Sequence, residues 1–200
     1  MKRIVIGFMI CLLFGNCNKK DKRNISKRNS YIISYEDKKL RKNTDSIERN
    51  SNLKIFLPKG FYRENQLIID KNGNLFFYQK EHIRISCNYG SENDTLPHFL
   101  DLHPKDIVKI PESSLNDFLS ENILSKEKDR QVLIIASQKD TIKNIAFLDF
   151  LNDNKIPTYI IRRTTQEEDT VLEYKKNNKY YNSENIRWDK TRIKLPSIKP

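Results

Sequence analysis

Five glycines in 200 residues, at positions 7, 15, 60, 73 and 90, leave no pair spaced for a phosphate-cradling loop. Histidine is as scarce. Of His82, His98 and His103, the last two lie five apart with Asp101 or Asp106 as a possible third zinc ligand. That is the far end of finger spacing and no other Cys or His stands near, so they read as solvated loop histidines. Ser113, Ser114, Ser137 and Cys87 lack the glycine elbow or adjacent base that activates a nucleophile. The acidic run Glu167-Glu168-Asp169 lacks the alternation of a calcium loop and reads as a solvated turn. These absences point to a non-enzyme with no metal and no cofactor.

Long apolar runs are missing too. Residues Ile4 to Phe14 form an eleven-residue apolar run, about 17 Å as a helix at 1.5 Å per residue, against the ~30 Å of a bilayer core. Preceded by Lys2 and Arg3 and followed by Gly15-Asn16-Cys17, it has the form of a lipoprotein export signal, with Cys17 as the lipidation site. Asn16 and Phe14 depart from the usual residues at their places. An ordinary secretory signal and an uncleaved anchor are the alternatives. Cysteine usage agrees with export and acylation: Cys11 leaves with the signal, Cys17 is acylated, and Cys87 remains without a disulfide partner. The expected location is the cell envelope, lipid-anchored and facing the periplasm, with the outer leaflet or surface not excluded.

The net charge of +11 is uneven. Residues 18–50 carry net +6 and residues 171–200 net +5, while residues 51–170 carry net −2. A near-neutral body between basic ends does not suit nucleic acid, which calls for charge on the folded face with aromatic platforms between. Basic segments beside a lipid anchor suit anionic headgroups; lysine-rich codon bias is the bland alternative.

This pattern divides the chain into a signal over 1–17, a basic flexible tether over 18–50, a folded domain over 51–170 and a basic, aromatic extension over 171–200. Within the tether, Tyr31 to Tyr35 suggest a short strand or docking patch. In the domain, Leu67–Asp70 and Leu75–Tyr78 flank Asn72-Gly73 and predict a hairpin with a type I′ turn. His82 to Cys87 predict a further strand. Leu115, Phe118, Leu119 and Ile123 predict a helix over 113–124, with Ser113 or Ser114 as N-cap. Val132 to Ala136 read as a strand buried on both faces. Asp140 is placed to cap a helix over 141–152, and Thr158 to Arg162 follow as a strand, completing a strand–helix–strand unit. Thr170 to Tyr174 suggest one more strand. The expected fold is α+β: a two-layer sandwich, a small mixed sheet with two helices on one face. Tyr180, Tyr181 and Trp188 of the tail are the candidate ligand or partner surface, set against the plainer reading of a cover over the sheet edge.

In this order, residues 53–164 resemble the periplasmic domain of the ExbD/TolR biopolymer-transport family. Leu57-Pro58 is similar to that family's entry motif, Leu67–Tyr78 to its first hairpin, and Leu115 and Leu119 to its helix. Val132 to Ala136, the helix after it and Ile156 are similar to its last strand–helix–strand. The apolar run 4–14 has no acidic residue, so the family's membrane aspartate has no counterpart; Ser137 and Lys155 stand where the family has Asp and Gly, and Lys80 to Ile110 form an insertion. Signal, linker and resemblance together suggest a membrane-tethered, protein-binding or assembly module, meeting envelope proteins or itself by edge-strand pairing, because a small open sheet leaves edges free. The alternative is a small-ligand or cell-wall binder using the inserted segment 80–110 and the tail aromatics.

Overall fold

The structure, a computed structural model, describes residues 30–51, 55, 60–61, 63–80, 99–153 and 156–188. The signal with Cys17, the strand expected over 82–87 and the histidines at 82 and 98 lie outside these residues.

Among the described residues five strands form the main sheet: β2 (Asn65–Ile69), β3 (Leu75–Gln79), β4 (Val108–Ile110), β5 (Val132–Ser137) and β7 (Thr158–Arg163). Their spatial order is β4-β3-β2-β5-β7. The β2–β3 and β3–β4 pairs are antiparallel, and β2–β5 and β5–β7 are parallel, so the sheet is mixed. β5 is central. Leu133 and Ile135 enter one core and Ala136 the other, which explains its unbroken apolar sequence. β2 and β3 alternate in the same way, with Leu67, Ile69, Leu75 and Phe77 on one side and Ile68, Phe76 and Tyr78 on the other.

The first face carries the two expected helices. α2 (Leu115–Leu119) and α3 (Ile145–Asn152) bury Leu115, Leu119, Phe147 and Leu151 there. The fold class is thus α+β, as the sequence implies. The opposite face is covered as well, by α4 (Gln166–Lys176) through Val171 and Leu172. Thr170 to Tyr174 are therefore helical rather than a strand, and the boundary drawn at residue 170 falls inside this helix.

The helix expected over 113–124 divides into a 3-10 turn (Glu112–Ser114), α2 and a π-helical turn (Ser120–Leu124). Ser114 stands at the N-cap position without a side-chain cap hydrogen bond. The helix expected from Thr141 starts later: Thr141–Ile142 form β6, and Asn144 caps α3 by accepting from the Phe147 N–H at 2.9 Å. β6 pairs with β1 (Tyr31–Ile32), the short strand suggested within the tether.

The segment expected to be a flexible tether contains a helix. α1 (Ile33–Ser51) is a 19-residue helix whose Ile33 is buried in the first core, and it packs against β7. Asp140 caps this helix rather than α3. The hairpin turn also differs. Gly73 N–H donates to the Asp70 carbonyl, and Gly73 has φ +87° while Asn72 has no positive φ. This is a turn closed by a left-handed glycine, not a type I′ turn.

Candidate functional site

α4 begins with Thr165-Gln166-Glu167-Glu168, a capping box in sequence and in space. Thr165 Oγ1 accepts from the Glu168 N–H, and Glu168 Oε2 accepts from the Thr165 N–H at 2.8 Å. The same carboxylate receives both Arg162 Nη groups, at 2.7 and 2.8 Å, and the Tyr78 hydroxyl at 2.7 Å. Arg162 also donates to Gln66 Oε1 and stands 5.2 Å above the Phe61 ring. Glu168 is fully buried, so the expected solvated turn is instead the centre of a buried ion pair.

Burial alone would raise the Glu168 pKa, but the Arg162 charge and hydrogen bonds outweigh it and hold the carboxyl below its ordinary value. For Arg162 burial pulls down, and Glu168 more than compensates. Burial drives the Tyr78 phenol far up, with the Glu168 charge adding to it. Among the described residues Arg162 Nε and Thr164 Oγ1 lack partners.

Glu167 points the other way. Its oxygens accept from the N–H groups of Leu100 and Leu102, both at 2.9 Å, and Asp101 between them adopts φ +53°. Burial raises the Glu167 pKa. α4 also reaches the hairpin, where Lys176 Nζ meets Asp70 Oδ2 at 2.7 Å, and the segment after Leu102, where Lys175 donates to the Pro104 carbonyl. Asp70 is held below its ordinary value; burial opposes, and Lys176, Asn72 and Asn74 together overcome it. At the far end of β2, Glu64 takes Arg130 through two hydrogen bonds and Lys126 through one, at 2.6–2.9 Å. The Arg130 hydrogen bonds, with Lys126, lower its pKa to about 2 against the cost of burial. Each of these buried carboxylates is committed to cations or N–H groups of the chain itself.

The tail aromatics separate. Tyr181 is half-buried against Tyr174 and His103, at ring distances of 5.3 and 5.5 Å, and Trp188 meets Phe99 edge-on at 5.1 Å. Tyr180 stands 87% exposed. Tyr181 and Trp188 thus clasp the segment 99–103 that Glu167 holds, and the part of the insertion from 99 to 110 ends in β4, which extends the sheet edge. His103 keeps an exposed side chain, with Asp101 3.7 Å away, and Asp106 accepts from its backbone N–H.

The Thr165–Glu168 spacing is a capping-box signal that the reading of 167–169 as a solvated turn passed over. Nothing in the sequence paired Glu168 with Arg162 or Tyr78, which is 90 residues away.

Fold and site together define a small α+β protein with a mixed sheet, whose described buried carboxylates are held by the chain's own cations and N–H groups. No protein-family model, curated protein or solved structure matches the chain. Among the described residues no helix is long and apolar enough to cross a membrane.

Proposed function

We propose that this protein is a non-enzymatic, lipid-tethered module of the cell envelope, with an ExbD/TolR-like domain that binds envelope proteins or another copy of itself through the β7 edge. Export and acylation at Cys17 rest on the N-terminal sequence. The ExbD/TolR likeness is supported by a hairpin followed by helix, strand, helix and strand in the order of that family's motifs. The non-enzymatic reading is supported by the closed hydrogen bonding of Glu64, Asp70, Glu167 and Glu168.

The observation that carries the reading is the asymmetry of the two sheet edges. Among the described residues β4 is the other edge, three residues long with Lys109 and Val108 exposed, a short and charged edge of the kind that resists pairing. β7 is six residues long, pairs with β5 on one side, and among the described residues has no strand on the other. An added strand there would gain main-chain hydrogen bonds.

Two measurements test this. Radiolabelled fatty acid is expected in the wild-type protein and not in Cys17→Ala; a labelled variant or an unlabelled wild type removes the lipid anchor. A photo-crosslinking residue at Thr158 is expected to trap a protein partner or a second copy in cells, whereas one at Lys128 is not. Equal trapping, or none, at Thr158 removes the edge reading.

A further inference from the structure

The charges of α1 are sorted by exposure. Ile33, Asp37, Thr44 and Glu48, spaced 4, 7 and 4, form one stripe turned toward the body. Ile33 and Thr44 are buried, Asp37 and Glu48 are half-buried, and Glu48 accepts from the Ile55 N–H. Tyr35, Lys38, Lys42 and Arg49, spaced 3, 4 and 7, form the opposite stripe and are all exposed. Of the charged side chains of α1 that are exposed, five are cationic (Lys38, Lys39, Arg41, Lys42 and Arg49) and one, Asp45, is anionic. The other three acids, Glu36, Asp37 and Glu48, are half-buried. A solvated helix of mixed charge would not need this segregation.

The outward stripe runs about 21 Å along the helix axis, from Tyr35 to Arg49 at 1.5 Å per residue. The docking is rigid at its start, because Ile33 sits in the core and the Asp140 carboxylate caps the first turn. Thirteen residues separate Cys17 from Tyr31, six of them Lys or Arg and one Asp. Fully extended, that segment spans at most ~50 Å.

We propose that the outer face of α1 is a membrane-contact surface that lies on anionic phospholipid headgroups, with Tyr35 at the interface and Lys38, Lys42 and Arg49 against the phosphates. This inference rests on the lipid-anchored reading above and specifies how the domain meets its membrane. The anchor brings the chain to the bilayer; the α1 face decides which side of the domain is laid against it. Because the helix is docked at β7, the same contact orients the β7 edge relative to the bilayer. Each cation near an anionic surface contributes about fivefold in binding, so three acting together exceed a hundredfold.

The test is cosedimentation of the full chain with phosphatidylcholine vesicles, with and without phosphatidylglycerol. The readout is the ratio of the two affinities, which cancels any apolar contribution of residues 4–14. We expect the wild type to prefer the anionic vesicles, with a preference that falls as salt rises. Lys38→Glu/Lys42→Glu/Arg49→Glu is expected to lower that ratio by two orders of magnitude or more. Lys105→Glu/Lys109→Glu/Lys128→Glu makes the same change in net charge at exposed positions elsewhere and is expected to lower it far less. Equal losses in both triple variants would mean that net charge alone acts and would overturn the proposal. So would a wild type with no headgroup preference. A Gln triple at the α1 positions checks that loss of cations, rather than unfolding by added acids, is responsible: its ratio should fall while its melting temperature stays. Fatty-acid labelling is read separately, so failure of the anchor and failure of this surface are distinguishable.

Discussion

The Asp140 carboxylate accepts two hydrogen bonds from Ser34, one from its N–H at 2.9 Å and one from its hydroxyl at 2.6 Å. The Asp140 carbonyl accepts a third, from the Ile33 N–H. One residue in the turn between β5 and β6 therefore caps a helix 106 positions earlier in the chain. Residues 33–51 are thereby fastened to the domain. A chain that would otherwise trail becomes a helix with a defined outer face.

Asp140→Ala should loosen that joint. Loss of an N-cap carboxylate costs ~1 kcal/mol, and the effect is expected in α1 first. Amide exchange of residues 34–40 should accelerate while β5 stays protected. Unchanged exchange in α1 would mean that Ile33 and the β1–β6 pair hold the helix without the cap.

Glu168→Ala leaves Arg162 as a buried charge without its partner and the Tyr78 hydroxyl without its acceptor. Breaking a buried pair from one side costs ~3–5 kcal/mol, so the urea midpoint should drop sharply. Glu173→Ala, on the same helix, is the comparison and should behave as wild type. Equal midpoints for the two variants would show that water enters the site and replaces the carboxylate.

Acid should find Glu64 late. Its folded-state pKa is lowered from 4.5 to about 2, so its contribution is fully present above the unfolded value and is lost as pH falls from about 4.5 toward 2. At 1.36 kcal/mol per pKa unit the loss is ~3 kcal/mol. Glu64→Gln should remove that part of the pH dependence of the melting temperature. A variant whose pH profile is parallel to wild type would show that Arg130 and Lys126 do not shift this carboxyl.

The two left-handed glycines should respond differently to substitution. Gly60 has φ +74°, and a Cβ there would lie 2.3 Å from Ile134 Cδ1, while a Cβ on Gly73 meets nothing within 4 Å. Gly73→Val then carries backbone strain alone, ~1–3 kcal/mol. Gly60→Val adds a clash with the central strand and should unfold the domain at lower denaturant than Gly73→Val. The reverse order in urea melts would refute this account of the Gly60 turn.

What the sequence determined by itself is whatever a local pattern can specify. The Leu67–Tyr78 hairpin, the double-sided burial of Val132 to Ala136, the strand from Thr158 and the helical face of Leu115 and Leu119 follow from periodicity over a few residues. The tertiary structure decided what depends on partners far along the chain. Thr170 to Tyr174 look extended in isolation, but Val171 and Leu172 close the second core, and only a helix capped by Thr165 brings both onto one face. Glu167 and Glu168 look like solvent-exposed acids until Leu100, Leu102, Arg162 and Tyr78 are folded around them. Asp140 was legible as a cap, and which helix it caps was not, because Ser34 is brought to it only by the β1–β6 pairing. Charge is long-ranged and burial is collective. A carboxylate's role is therefore set by the groups the fold gathers around it, not by its neighbours in sequence.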